Sequence, residues 1–525
     1  MIQTVEIMFG LMIAIATLAV AARKLGIAYP IPFVIGGLLL GMLPGLPQVH
    51  LNPDLVFLIF LPPLIYPAAL FTSWRDFRSN LRPISLLAIR LVLITTAVIA
   101  LVTHKLLGLP WASAFVLGAI VSPPDAVAAT AITQSLRVPH RLVTIIEGES
   151  LVNDATAFVI YRFAVAAVVT GTFSLALAGL EFLYSVVAGV LAGILVGWLA
   201  SSIQRRLDDP PVQTTLSLMT PFAAYLTATQ IGASGVLAVV TAGLYLGRLA
   251  PEIINSRTRF QVYPVWEMVV FLLNGLIFIL IGLQLPRILA NLSEHSLLTL
   301  CWQAGVVNFV LILVRIVWIF RSEHFPFSRR KRSAPNTPPP NWRHTAIVAW
   351  TGIRGVDSMA AAMALPLMTN SNAPFPGRDL ILFQTFAVIL VTLVFQGLSL
   401  PFLIRWLGVV DDGATQKEEL HGRLAAVQAA LAQLNQFKGK SDDRILLRLR
   451  TEYENRMRDL EFQATTDKQN FDSAKSPTYE QMLSEVLLAE RNMILQLRNK
   501  QIISDDVLRR IQRDLDLAEL RLNRR

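Results

Sequence analysis

The stretch Gly148-Glu149-Ser150-Leu151-Val152-Asn153-Asp154 places two carboxyl groups, a hydroxyl and an amide inside an otherwise apolar segment running from about Leu142 to Val169. A helix that crosses a bilayer should be oily at that depth. An ionisable residue there costs roughly 2.5–3.5 kcal/mol even on the lenient insertion scale, so it faces a pathway or a partner. On an α-helix Ser150 and Asp154 are four residues apart and share a face, with Asn153 beside Asp154. The plain reading is that Asp154 pairs with an arginine to hold helices together. The functional reading is that something moves past it.

The rest of the chain decides between them. Of 525 residues, 54% are hydrophobic and only 16% charged, with a mean hydropathy of +0.54. That composition means a polytopic membrane protein rather than a soluble core. The net charge of +10 belongs to cytosolic loops, not to nucleic-acid binding. Cys301 is the single cysteine. It has no internal disulfide partner and receives no redox role. Val5 to Ala22 lacks a basic n-region and a cleavage site, and reads as a retained first helix.

Thirteen apolar segments of spanning length follow one another, near 5–22, 31–47, 51–71, 84–106, 110–133, 141–168, 179–202, 212–229, 232–249, 262–285, 298–320, 343–368 and 379–407. With the N-terminus outside, loops after odd-numbered spans hold Arg23 and Lys24, Arg75, Arg78 and Arg82, Arg205 and Arg206, and the run Arg329-Arg330-Lys331-Arg332. Loops after even-numbered spans hold little more than Arg287 and Arg378. One orientation fits throughout, with the C-terminus in the cytosol. The basic, Pro-rich stretch 322–342 reads as a cytosolic loop. The chain thus divides into a transmembrane domain, 1–410, and a cytosolic helical tail, 411–525. In the tail, Leu420, Leu424, Val427, Leu431 and Leu434 repeat with heptad-like spacing, as do Leu508, Ile511, Leu515, Ala518 and Leu522 after an N-cap at Ser504. A regulatory or self-associating role is expected of it.

Two further constellations lie at membrane depth. Ser122-Pro123-Pro124-Asp125 falls in the middle of span five. Two successive prolines remove helix donors and clash with the preceding turn, predicting an unwound segment with free carbonyls. Thr351-Gly352-Ile353-Arg354-Gly355-Val356-Asp357-Ser358 interrupts span twelve, two glycines bracketing a buried arginine. Broken helices in corresponding positions of two halves point to a transporter site. Arg354 requires an acidic partner: Glu149 first, Asp357 second.

These three motifs, with Phe60-Leu61-Pro62-Pro63-Leu64-Ile65-Tyr66 in span three, resemble the monovalent cation:proton antiporters of the sodium/proton exchanger type, the NhaP-like branch. The likeness covers roughly residues 1–407, in order and with fitting spacing. It implies an all-α fold of about thirteen helices with inverted repeats, two discontinuous crossing helices, a homodimer and an elevator-like core. It implies that Asp154 binds the cation and the proton alternately. Asn153 and Ser150 lie at that site, Asp125 contributes a carboxylate at the helix break, and Pro124 contributes a backbone oxygen. Glu149 and Arg354 form a structural ion pair, and Pro123, Pro124, Gly352 and Gly355 make the breaks. The metal cation, Na+ or else Li+ or K+, would take oxygens from Asp154, Asp125 and Ser150. No cofactor is implied; cation and proton are the substrates. A bacterial plasma membrane is the expected location. The resemblance departs at Tyr66-Pro67-Ala68-Ala69, where many relatives carry an acid. Glu147, two turns before Asp154 on the same face, is available to compensate. Arg162, two turns beyond Asp154, has no assigned role.

Burial disfavours an ionised carboxylate, and a bound cation restores it, so proton and cation compete for one group. If the site opens to one side at a time, that competition couples the fluxes. With a neutral amide at Asn153 instead of a second acid, one proton exchanges for one cation and transport is electroneutral. A cation-sensing or channel-like protein on the same fold is the second reading. An enzyme is not expected: no His-Glu metal motif lies on a span, and no nucleophile stands with a base.

Overall fold

A computed structural model of the chain describes residues 2–25, 29–42, 53–125, 138–171, 175–292, 296–324, 341–409, 413–436 and 443–466, with isolated positions at 129–130, 133, 136, 490 and 493. Among these residues the chain is helical, with one isolated β-bridge between Met368 and Pro374. It divides into two compact units, Met1–Gly413 and Ala414–Arg525.

In the first unit, α1 (Ile2–Leu25), α2 (Pro30–Gly41), α3 (Pro53–Phe71) and a short α4 (Trp74–Ser79) lead into α5 (Leu81–Leu107). Next come α6 (Trp111–Val121), α7 (His140–Thr170), α8 (Leu175–Gln204), α9 (Pro210–Gln230), α10 (Gly235–Ile253), α11 (Ser256–Asn291) and α12 (Leu297–His324). The short α13 (Trp342–Trp350) and α14 (Val356–Met363) precede α15 (Arg378–Leu407). Seven of these, α5, α7, α8, α10, α11, α12 and α15, contain stretches long and apolar enough to cross a bilayer; α2, α3 and α6 carry shorter apolar runs. The protein is a multi-pass membrane protein. Helices are the element that lipid permits here, because each satisfies its own backbone groups without water. Their ends are fixed locally. Ser234 Oγ accepts the Leu237 N–H at 3.3 Å, and Asn255 Oδ1 accepts the Thr258 N–H at 2.8 Å. Gly171 stops α7 in the left-handed conformation, at φ +70°.

Both predicted interruptions are present. The helix of α6 ends at Val121, and residues 122–125 are not helical. α13 ends at Trp350 and α14 begins at Val356, and residues 351–355 between them are not helical. The single long segment expected near 343–368 is therefore two shorter helices, and the one expected near 110–133 begins with a helix that stops at Val121. The prolines of the Leu-Pro-Pro string, by contrast, sit inside α3 without ending it.

Helices in lipid associate by close packing rather than by expelling water, which favours small residues at their contacts. α2 and α11 show this most clearly. Gly37 lies directly against the Ile279 carbonyl, and Gly282 against the Val34 carbonyl and the Leu38 amide. A side chain at either position would collide with backbone, which cannot swing aside. Gly282→Val is accordingly expected to lower the stability of the purified protein by about 2 kcal/mol or more. A thermal melt indistinguishable from wild type would contradict this packing.

The second unit contains α16 (Ala414–Asn435) and α17 (Asp443–Thr466) among its described residues, packed on one another. Val427 and Leu460 are buried there. Arg423 pairs with Glu419, and Arg450 with Glu454 at 2.8 Å, each across one helical turn. The first heptad-like repeat falls on α16. The second, at 508–522, and its N-cap at Ser504 lie outside the described residues, as do 325–340 of the basic loop.

Candidate functional site

The two breaks meet. The Asp125 N–H donates to the Ile353 carbonyl at 2.7 Å, so the chain after α6 is hydrogen-bonded to the chain before α14. Gly355 permits the approach: a Cβ there would overlap the Asp125 carboxylate. Asn153 on α7 donates its amide to the Pro124 carbonyl at 3.1 Å. One of the carbonyls freed by the Pro-Pro break is thereby satisfied, as buried backbone in a membrane requires. Asn153, Asp154 and Asp125 are all buried, at 0%, 4% and 9% exposure. Ser150 is half-buried one turn before Asp154 on α7. Tyr161, further along α7, donates its hydroxyl to the Ala361 carbonyl of α14 at 3.0 Å.

The expected ion pair between Glu149 and Arg354 is not formed. Glu149 is held instead by Arg315 of α12, a bidentate contact with Nη1–Oε1 at 2.5 Å and Nη2–Oε2 at 2.8 Å. Arg315 Nη2 also donates to the Val348 carbonyl at 3.0 Å, which ties α12 to α13. Both partners are almost wholly buried. Arg354 finds its acceptors in backbone. Its Nε donates to the Val121 carbonyl at 2.9 Å, its Nη2 to the Ser122 carbonyl at 3.2 Å, and its Nη1 to the Gly352 carbonyl. The physical reason lies in the break itself. Ending α6 at Val121 leaves carbonyls without helical donors at the negative end of the helix dipole. The Arg354 guanidinium, with five donors, satisfies those carbonyls, and Glu149 is left to Arg315.

Three residues with no assigned place in the expected site also contribute. Arg315 is one; a lone arginine in span eleven carries no local pattern that names its partner. Thr392 is another: its Oγ1 accepts the Arg354 N–H at 3.0 Å. It starts a π-helical turn, Thr392–Gln396, within α15, a distortion that recurs at functional sites. The third is Asp357, in the first turn of α14. Its carboxyl group lies beside that of Asp154, with Asp125 nearby. The second acid that the Asn153 amide was expected to replace is therefore supplied from a different helix.

Tyr66, at the position where relatives of the Leu-Pro-Pro string carry an acid nearby, is 1% exposed and packs on Trp266 at 5.3 Å between ring centres. The Trp266 indole donates to Ser217 Oγ at 3.0 Å. Arg162 donates to the Ala233 carbonyl at 3.3 Å, which links α7 to the turn before α10. Glu147 is half-buried, with His140 two helical turns before it on α7.

Two interrupted helices that meet beside buried carboxylates are the arrangement of a membrane transporter. The solved structure of the sodium proton antiporter MjNhaP1 from Methanocaldococcus jannaschii shares this fold, with a TM-score of 0.60 at 18% identity over 77% of this chain and 99% of that one. The sequence model of the transmembrane sodium/hydrogen exchanger family matches residues 10–406, and the chain belongs to that family. An uncharacterized Na(+)/H(+) exchanger of Mycobacterium tuberculosis is 36% identical, covering 98% of this chain and 97% of its own. The sodium, potassium, lithium and rubidium/H(+) antiporter of Bacillus subtilis is 31% identical over 83% of this chain and 67% of its own. The family is one of transporters, not of enzymes.

Proposed function

We propose that the protein exchanges Na+, and with it Li+ or K+, for H+ across the bacterial plasma membrane, with Asp154 as the group that holds proton and cation in turn. The observation that carries this reading is the burial of Asp154 beside the meeting of two broken helices, with no arginine or lysine paired to it among the described residues. The basic side chains nearest in the architecture are committed elsewhere: Arg315 to Glu149, Arg354 to carbonyls. A buried carboxylate without a counter-ion is costly when ionised. It is relieved either by a proton or by a hard cation, and the two exclude one another.

Asp125, Ser150, Asn153 and the Pro124 carbonyl surround the exchange. Asn153 spends its amide on Pro124 and so fixes α7 against the break. Glu149 and Arg315 act as the structural pair. The N-terminus faces outward, the tail from residue 411 lies in the cytosol, and two copies form a homodimer through the transmembrane domain; the resemblance and the loop charges support these assignments.

One proton is exchanged for one cation, so turnover moves no net charge. The test is the purified protein in liposomes with an imposed pH gradient, to which Na+, Li+ and K+ are added in turn. The expected result is cation-induced collapse of the gradient, at a rate unaffected by an imposed membrane potential. No collapse with any of the three would refute antiport. A rate that follows the potential would refute the one-for-one count.

A further inference from the structure

We propose that Asp357 is itself a ligand of the transported cation, beside Asp154. This rests on the antiport reading and adds a residue to its site. The first argument is contact. The two carboxyl groups are within hydrogen-bonding distance although they come from α7 and from the start of α14. A cation binding Asp154 therefore meets Asp357 without any helix having to move.

The second argument is the balance of donors and acceptors. Asp357 Oδ1 and Asn153 Oδ1 are both buried oxygens without a hydrogen-bond partner. A buried polar atom left unpaired calls for an explanation. Here the unpaired atoms on both residues are acceptors. The donors that could have answered them are used: the Asn153 amide on Pro124, and the Arg354 guanidinium on Val121, Ser122 and Gly352. Oxygens already desolvated and short of donors are what a hard cation binds.

The competing account is structural: a carboxylate in the first turn of a helix favours the helix dipole, and Asp357 would do no more than start α14.

The test compares wild type, Asp357→Asn and Asp357→Glu as full-length protein in liposomes at one fixed pH. Asparagine is expected to raise the half-saturating concentration of Na+ and of Li+ by about tenfold or more, as loss of one charged ligand should. An unchanged half-saturation for both ions would overturn the proposal. If Asp357→Asn does not exchange, Na+ binding is read from thermal unfolding of the purified proteins, since a ligand that binds the folded state raises the melting temperature. The Na+-dependent rise should be smaller in Asp357→Asn than in wild type and partly recovered in Asp357→Glu, which keeps the charge. A wild-type rise in the asparagine variant, or a glutamate variant no better than asparagine, would leave Asp357 with only the structural role. Failure of the antiport reading looks different: wild type would then show neither exchange nor Na+-dependent protection.

Discussion

Asp154→Asn is expected to reduce cation-driven proton movement in liposomes to the level of protein-free vesicles, for Na+, Li+ and K+ alike. Asparagine keeps the size of aspartate and can still hydrogen-bond to Asp357, but it can neither release a proton nor neutralise a cation. The loss should not come from misfolding. Replacing a buried carboxylate by a neutral amide removes a desolvation penalty, so the melting temperature of the variant should equal or exceed that of wild type. Asp154 stands at 4% exposure with no basic partner among the described residues, so the change breaks no ion pair among them. The combination of lost exchange with unreduced stability is what separates an exchanging carboxylate from a structural one. Exchange at the wild-type rate would mean that another group carries the proton. Lost exchange with a large fall in stability would mean that Asp154 holds helices together.

The opposite signature is expected at Arg315. Arg315→Met removes one half of a buried, bidentate pair and leaves the Glu149 carboxylate uncompensated. Breaking such a pair from one side costs about 3–5 kcal/mol, and the purified variant should melt well below wild type or fail to accumulate in the membrane. The double variant Glu149→Gln with Arg315→Met removes both charges. It should recover much of the lost stability, because the penalty belongs to the unpaired charge rather than to the absence of the pair. Arg354→Met should not be rescued by Glu149→Gln, since Arg354 serves the Val121, Ser122 and Gly352 carbonyls and not Glu149. If Glu149→Gln rescued Arg354→Met and not Arg315→Met, the pairing described here would be inverted.

These two positions also mark how far the amino-acid sequence reaches. The membrane class, the approximate helix positions and both interruptions follow from local properties. Runs of apolar residues must be helical in lipid, successive prolines must end a helix, and glycines around an arginine weaken one. The prominence of Asp154 follows in the same way, because a charge within an oily run is unusual wherever the run is placed. The motif resemblance supplied more, the expectation that Asn153, Pro124 and Asp125 belong to one site; in the structure Asn153 is hydrogen-bonded to the Pro124 carbonyl and Asp125 is buried.

The tertiary structure alone decided who faces whom. Glu149 had an arginine for a partner, as the chemistry demanded, but the partner is Arg315, some 166 residues away in sequence. Arg354 was correctly judged to need compensation, yet it obtains it from the carbonyls that the first break sets free. Asp357 was weighed as a partner for Arg354 and stands instead against Asp154. Each misassignment has the same origin. Helical periodicity fixes the depth and the face of a side chain on its own helix, but not which neighbouring helix that face meets. That choice depends on close contacts such as Gly355 on Asp125 and on hydrogen bonds such as Asp125 to Ile353, which bring the two interrupted segments together. They arise between residues far apart in the chain, and no local pattern encodes them.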